Sequence, residues 1–158
     1  MKTAITVLAL STLVQFVSQA QPAPATDHLD HRFGAGLILG EPTGVSLKYW
    51  FDDTWAIDGA ITSSFHRDTA LQVHSDILWH AFDLFNVSRG RLPLYLGLGA
   101  RVKFPDGDDQ FGIRAPIGVS YMFDNAPVDI FVEMAPILDL APSVRGDFNV
   151  ATGVRFWF

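Results

Sequence analysis

The sequence contains no cysteine among its 158 residues. That removes disulfides, and with them the acylated amino-terminal cysteine on which a lipoprotein depends. Charged residues make up only 18% of the chain, and the acidic ones outnumber the basic ones for a formal net charge of −6. Nucleic acid demands a basic face against its phosphates, so it is excluded as a partner. Beyond the first twenty residues no window approaches about eighteen unbroken apolar residues, which excludes a transmembrane helix there. No segment carries a helical hydrophobic period either. Yet 49% of all residues are hydrophobic, so the apolar content must be spread with a shorter period.

The amino-terminal stretch Met1–Ala20 reads as a secretory signal peptide. Lys2 supplies the positive start, Ala4 to Val17 the apolar run, and Ser18-Gln19-Ala20 the small residues a signal peptidase accepts. Gln21 to Arg32 combines Pro, Ala and His without a period and reads as a flexible leader. Residues 33–158 then form a single domain.

That domain divides into about eight segments of strict alternation separated by turn chemistry. Phe33-Ala35-Leu37-Leu39 alternate with Gly34-Gly36-Ile38-Gly40, and Val45-Leu47-Tyr49-Phe51 with Ser46-Lys48-Trp50. The pattern repeats over Trp55–Phe65, Leu71–His80, Leu94–Phe104, Phe111–Phe123, Val128–Ala135 and Phe148–Phe158. Ala81 to Leu92 is the longest connection without a clear period, and Asp139 to Gly146 reads as a loop. Successive strand side chains point to opposite faces, so each segment has one apolar and one mixed face. Pro116 falls on the mixed face of its segment, where a missing donor predicts a bulge.

Alternation alone does not separate a soluble barrel, with its apolar face inward, from a membrane barrel of inverted polarity. The aromatics do. On the apolar face, Phe33, Tyr49, Phe51, Trp55, Trp79, Tyr121, Phe123, Phe156 and Phe158 lie near one end of the segments. Phe65, Phe104, Phe111 and Phe148 lie near the other, with Val, Ile, Leu and Ala between. Amphipathic rings sort in this way to two membrane–water interfaces, whereas a soluble core has no reason to sort them. From Phe111 to Tyr121 the chain climbs roughly 25 Å along the membrane normal at the usual rise and tilt, the height of an outer-membrane apolar band. Unpaired backbone groups in hydrocarbon are costly, so the sheet must close. The predicted fold class is all-β: a single eight-stranded antiparallel up-and-down transmembrane barrel.

The last segment, DFNVATGVRFWF (Asp147–Phe158), ends on an aromatic residue of the apolar face. It resembles the terminal strand of bacterial outer-membrane β-barrels, and the whole of Phe33–Phe158 resembles the small barrels of the outer-membrane protein A and outer-membrane protein X type. The resemblance implies a Gram-negative outer membrane and insertion signalled by Phe156 and Phe158. It also implies the barrel-insertion machinery and periplasmic chaperones as assembly partners, with lipids and lipopolysaccharide around a monomer. If the amino terminus starts on the periplasmic side, odd strands run outward.

The inward face predicts a charge network of Lys48, Arg101, Lys103, Arg114 and Arg155 against Asp58, Asp76, Asp129 and Glu133. Near-balance is what a self-neutralising interior needs, since a lone buried charge is costly. Inward glycines at 34, 36, 40, 97, 99, 112, 118 and 153 make room for Trp50, Tyr95, Phe131 and Trp157. The expected role is structural, supporting membrane integrity through a filled lumen; the alternatives are a narrow pore for small solutes and a lipid-modifying enzyme. For an enzyme, the outward hydroxyls of Ser63, Ser75 and Thr152 find no His of matching parity, because His66 and His74 fall on the other face. No catalytic residue, metal site or cofactor is expected. His74 and His80 share a face but stand about 20 Å apart along a strand, too far for one ion. Asp27-His28-Leu29-Asp30-His31 reads as solvated leader, and Asp106-Gly107-Asp108-Asp109 as a turn. The connection bearing Arg89 and Arg91 offers a site for a periplasmic partner.

Overall fold

A computed structural model describes residues 31–64 and 70–158. The signal peptide, residues 21–30 of the leader, Phe65 and His66 lie outside the described residues. The domain is entirely β: β1 Phe33–Glu41, β2 Thr43–Trp50, β3 Trp55–Ser64, β4 Ala70–Ala81, β5 Leu94–Phe104, β6 Gln110–Arg114, β7 Ile117–Met122, β8 Val128–Ala141 and β9 Arg145–Trp157. Every neighbouring pair is antiparallel, and the ring closes where β1 meets β9, from Gly34 opposite Trp157 to Glu41 opposite Val150. The Phe158 N–H donates to the Phe33 carbonyl at 2.8 Å, fastening the two chain ends at what is called here the terminal end. Closure leaves no unpaired row around the ring, as an apolar solvent requires.

The nine strands make eight crossings, because β6 and β7 are halves of one crossing interrupted at Ala115-Pro116. The expected bulge at Pro116 does not form. Both halves keep one register against β5 and against β8. Gly97 N–H still donates to the Pro116 carbonyl at 2.9 Å and Ala115 N–H to the Pro136 carbonyl at 3.0 Å. Each proline deletes one donor, too little to force a slip. The irregularity falls instead between Phe111 and Gly112, where the pairing to β8 jumps from Ala141 to Asp139.

Two connections also differ from expectation. The loop expected over Asp139–Gly146 is largely strand: β8 runs through Pro136, and Asp139 pairs with Arg145. Pro136 gives up one N–H and keeps its place opposite Phe148. The long connection is tied down, with Arg91 bridging Met122 and Gly90 donating to Asp124 Oδ2 at 2.6 Å. Gly90 has φ 69° and a Cβ there would meet the Met122 carbonyl, so glycine is required.

Burial alternates along the strands, most cleanly in β4 and β8. The outward face is exposed and apolar: Leu37, Leu47, Ile61, Ile77, Leu98, Val132 and Val154 form the middle band. At the terminal end the rings pair around the rim, Tyr49 with Phe51 at 5.8 Å, Tyr121 with Phe123 at 4.8 Å and Phe156 with Phe158 at 5.0 Å. Phe33 and Trp55 are exposed there too, and Phe104, Phe111 and Phe148 are exposed at the far end. Trp79 departs from the expected girdle: it faces outward beside Trp55 yet is only 9% exposed. The turn entering β3 is held by Asp52, whose Oδ1 accepts from the Thr54 and Trp55 N–H groups at 2.8 Å each and from the Thr54 hydroxyl at 3.1 Å. Slight desolvation acts to raise the Asp52 carboxyl, but these bonds outweigh it and hold it below the ordinary carboxylate range.

Candidate functional site

The distinctive chemistry of the molecule lies in its bore, where alternation sends the polar residues of every strand. Three layers fill it. Nearest the terminal end is an aromatic plug: Trp50 packs at 4.3 Å from the His80 ring and 6.1 Å from Trp157, with Met122, Ala56 and Phe82 completing the cluster. Glycines supply the space, since Gly34 faces the Trp157 ring, Gly118 the Tyr95 ring and Gly153 the Phe131 ring. Above the plug, Lys48 Nζ lies 2.7 Å from His80 Nε2, between the rings of Trp50 (4.9 Å) and Tyr95 (5.1 Å). His80 Nδ1 meets the Thr54 carbonyl at 3.1 Å. A carbonyl only accepts, so Nδ1 carries the hydrogen and Nε2 receives one from Lys48.

The middle layer holds two arginines, each between two carboxylates. Arg155 Nε meets Asp129 Oδ1 at 3.2 Å, and its Nη1 approaches Asp58 Oδ2 at 3.8 Å. Its guanidinium also stacks 4.0 Å from the centre of the Phe131 ring. Arg114 Nε meets Asp76 Oδ2 at 3.0 Å, while Nη2 donates to Glu133 Oε1. The Tyr95 hydroxyl donates to the other oxygen of Glu133 at 3.0 Å. Towards the far end, Arg101 forms the third clamp, with Nη2 2.8 Å from Asp139 Oδ2 and 2.7 Å from Asp147 Oδ2, and Nη1 donating to Gln72 Oε1 at 3.2 Å. Planar, multiply donating guanidinium groups suit such bridging between strands.

Seven of the nine residues of the predicted network, Asp58, Asp76, Arg101, Arg114, Asp129, Glu133 and Arg155, therefore meet in ion pairs inside the bore. The other two are placed differently. Lys48 stands opposite Asp58 in the β2–β3 register, but its amine turns to His80 and the rings, and among the described residues it makes no ion pair. Lys103 is half-buried near the far mouth, also without an ion pair among the described residues. Asp139, 3% exposed, was missed because the predicted strand stopped short of it. Its parity with Glu133 and Ala135 was the available signal. Asp147, Gln72 and His80 joined the layers only through register, which sequence spacing does not contain.

Two small voids lie among the described residues. One of about 20 Å³ lies among Ser46, Asp58, Thr62, His74, Arg114 and Glu133, and one of about 30 Å³ lies at the terminal mouth beside Trp50, Pro127 and Trp157. Each has room for only a water molecule or two. His74 contacts Gln72 at 3.4 Å, in a different layer from His80. Among the described residues, no three His, Asp or Glu side chains group as metal ligands. On the outer face, the Ser75 hydroxyl donates to the Asp58 carbonyl and the Thr152 hydroxyl to the Phe131 carbonyl, both at 2.9 Å. Of the two basic residues in the long connection, Arg91 turns inward, its guanidinium 5.6 Å from the Phe82 ring.

No protein-family model and no curated protein matches the chain. Solved structures do. The amino-terminal β-barrel domain of Pseudomonas aeruginosa OprF superposes with a TM-score of 0.66 at 14% identity, covering 81% of this chain and 98% of that one. Ail, the attachment invasion locus protein of Yersinia pestis, matches with a TM-score of 0.34 at 14% identity, over 80% of this chain and 94% of that one. The fold is that of the small eight-stranded outer-membrane β-barrels.

Proposed function

We propose that this chain is an integral outer-membrane barrel that serves membrane integrity as a closed structural element and not as a channel. The observation that carries this reading is the bore itself. Three double-clamped arginines span it between strands, and the aromatic plug fills the terminal end beneath them. The two voids described there, of about 20 and 30 Å³, each hold a water molecule or two and not a column of water. The exterior supports the location, since a continuous band of exposed Leu, Ile and Val framed by rings is stable in lipid and costly in water. Refolded protein in a planar bilayer is expected to show no steady unitary conductance at neutral pH. A reproducible single-channel step would overturn the closed reading in favour of a narrow pore.

Assembly through the barrel-insertion machinery, with periplasmic chaperones delivering the chain, belongs to the same proposal. Phe158 packs its ring on Phe156 and against Phe33 at 6.3 Å, at the β1–β9 seam that closes the ring. Deleting Phe158 is expected to lower outer-membrane assembly in cells several-fold, while refolding into detergent micelles persists. Assembly of the truncated chain at the full level would refute a role for that residue as insertion signal.

A further inference from the structure

We infer that the β4–β5 connection, Phe82–Pro93, is a membrane-surface strap that folds over the outside of the barrel at its terminal end and seats Leu84 and Phe85 at the acyl–headgroup boundary. The inference rests on the reading that the barrel spans a membrane. The strap starts inside: Phe82 packs on the aromatic plug, with the Arg91 guanidinium over its ring. It also reaches the outside. Tyr121, on the outward face of β7, donates its hydroxyl to the Arg89 carbonyl at 3.0 Å, and a Cβ at Gly90 would stand 3.0 Å from the same ring.

The outer face of β4 shows what lies between. Trp55 and Trp79 are register partners at one height, yet Trp55 is 41% exposed and Trp79 only 9%. Ala81, the next outward position of β4, is also 9% exposed. The chain that leaves Ala81 is the strap, and covering by the strap accounts for both residues. Leu84 and Phe85 are not used in that cover, being 46% and 45% exposed. Two adjacent large apolar side chains thus stand exposed among the polar Asp83, Asn86, Ser88 and Arg89, in a strap whose Arg89 carbonyl is held by Tyr121 of the aromatic rim. An apolar pair within a polar loop that is tied to the aromatic rim through Tyr121 fits the interfacial zone of a bilayer.

The absence of cysteine makes the test direct, since one introduced thiol carries one nitroxide. Leu84→Cys, Phe85→Cys, Leu98→Cys on the middle band and Asp108→Cys in the β5–β6 turn are labelled separately. Each is refolded into phosphatidylcholine vesicles, and collision with oxygen is compared with collision with a nickel chelate. Labels at 84 and 85 are expected to favour oxygen, at a depth between the labels at 98 and 108. If 84 and 85 match 108 while 98 is in lipid, the strap is refuted and the barrel reading stands. If 98 is itself open to nickel, the membrane reading fails and the strap with it.

Discussion

Arg114→Met is expected to be among the most destabilising single substitutions in the barrel. The arginine joins Asp76 of β4 to Glu133 of β8 across the bore, and the Asp76 side chain is wholly buried. Methionine fills much of the volume but leaves two carboxylates without their cation. Breaking a buried ion pair from one side costs about 3–5 kcal/mol. The denaturant midpoint of the folded protein in detergent micelles should fall accordingly, and the compact band on unheated gels should weaken. Adding Asp76→Asn and Glu133→Gln to Arg114→Met should recover a large part of the loss, because neutral partners remove the stranded charges. A single variant as stable as the parent would show that the clamp is not a structural element of the lumen.

Val132→Arg is expected to cost about 2–4 kcal/mol in a bilayer, the depth-dependent penalty for arginine on the lipid face of a barrel. Val132 is 57% exposed and lies midway between the two aromatic zones of β8 and β9. For an exposed position in water the same change would fall within about ±0.5 kcal/mol, so this site separates lipid from water outside the barrel. The measurement is the unfolding free energy in vesicles, with Asp108→Arg in the β5–β6 turn as the near-neutral control. Equal stability of the two variants would remove the argument for a lipid-facing exterior.

Most of the architecture could be read from period alone. Phe148, Val150, Val154 and Phe156 alternate with Asn149, Gly153, Arg155 and Trp157, and the same pattern over eight segments leaves one sheet with two opposed faces. The errors lie where the period is interrupted. Pro116 was read as a break, yet a proline removes only one donor from a ladder held by many others, so the predicted bulge did not form, and β8 carries Pro136 within it and runs on into the segment read as a loop. Asp139 was lost with that loop.

The lumen was legible as a set of inward residues but not as a set of partners. Parity along one strand says which side a residue faces and nothing about who stands opposite. Lys48 shows the difference: its register neighbour is Asp58, yet its amine turns to His80, thirty-two residues away in sequence. Trp79 shows it from the outside, facing outward by parity and yet only 9% exposed. Alternation is a property of the extended backbone, and so the sequence alone determined the strands and their two faces, while the sorting of the rings to both ends pointed to the inverted polarity. Which cation meets which carboxylate depends on closing the ring, which alone brings Arg101 to Asp139, Arg114 to Asp76 and Arg155 to Asp129; only the tertiary structure decided that.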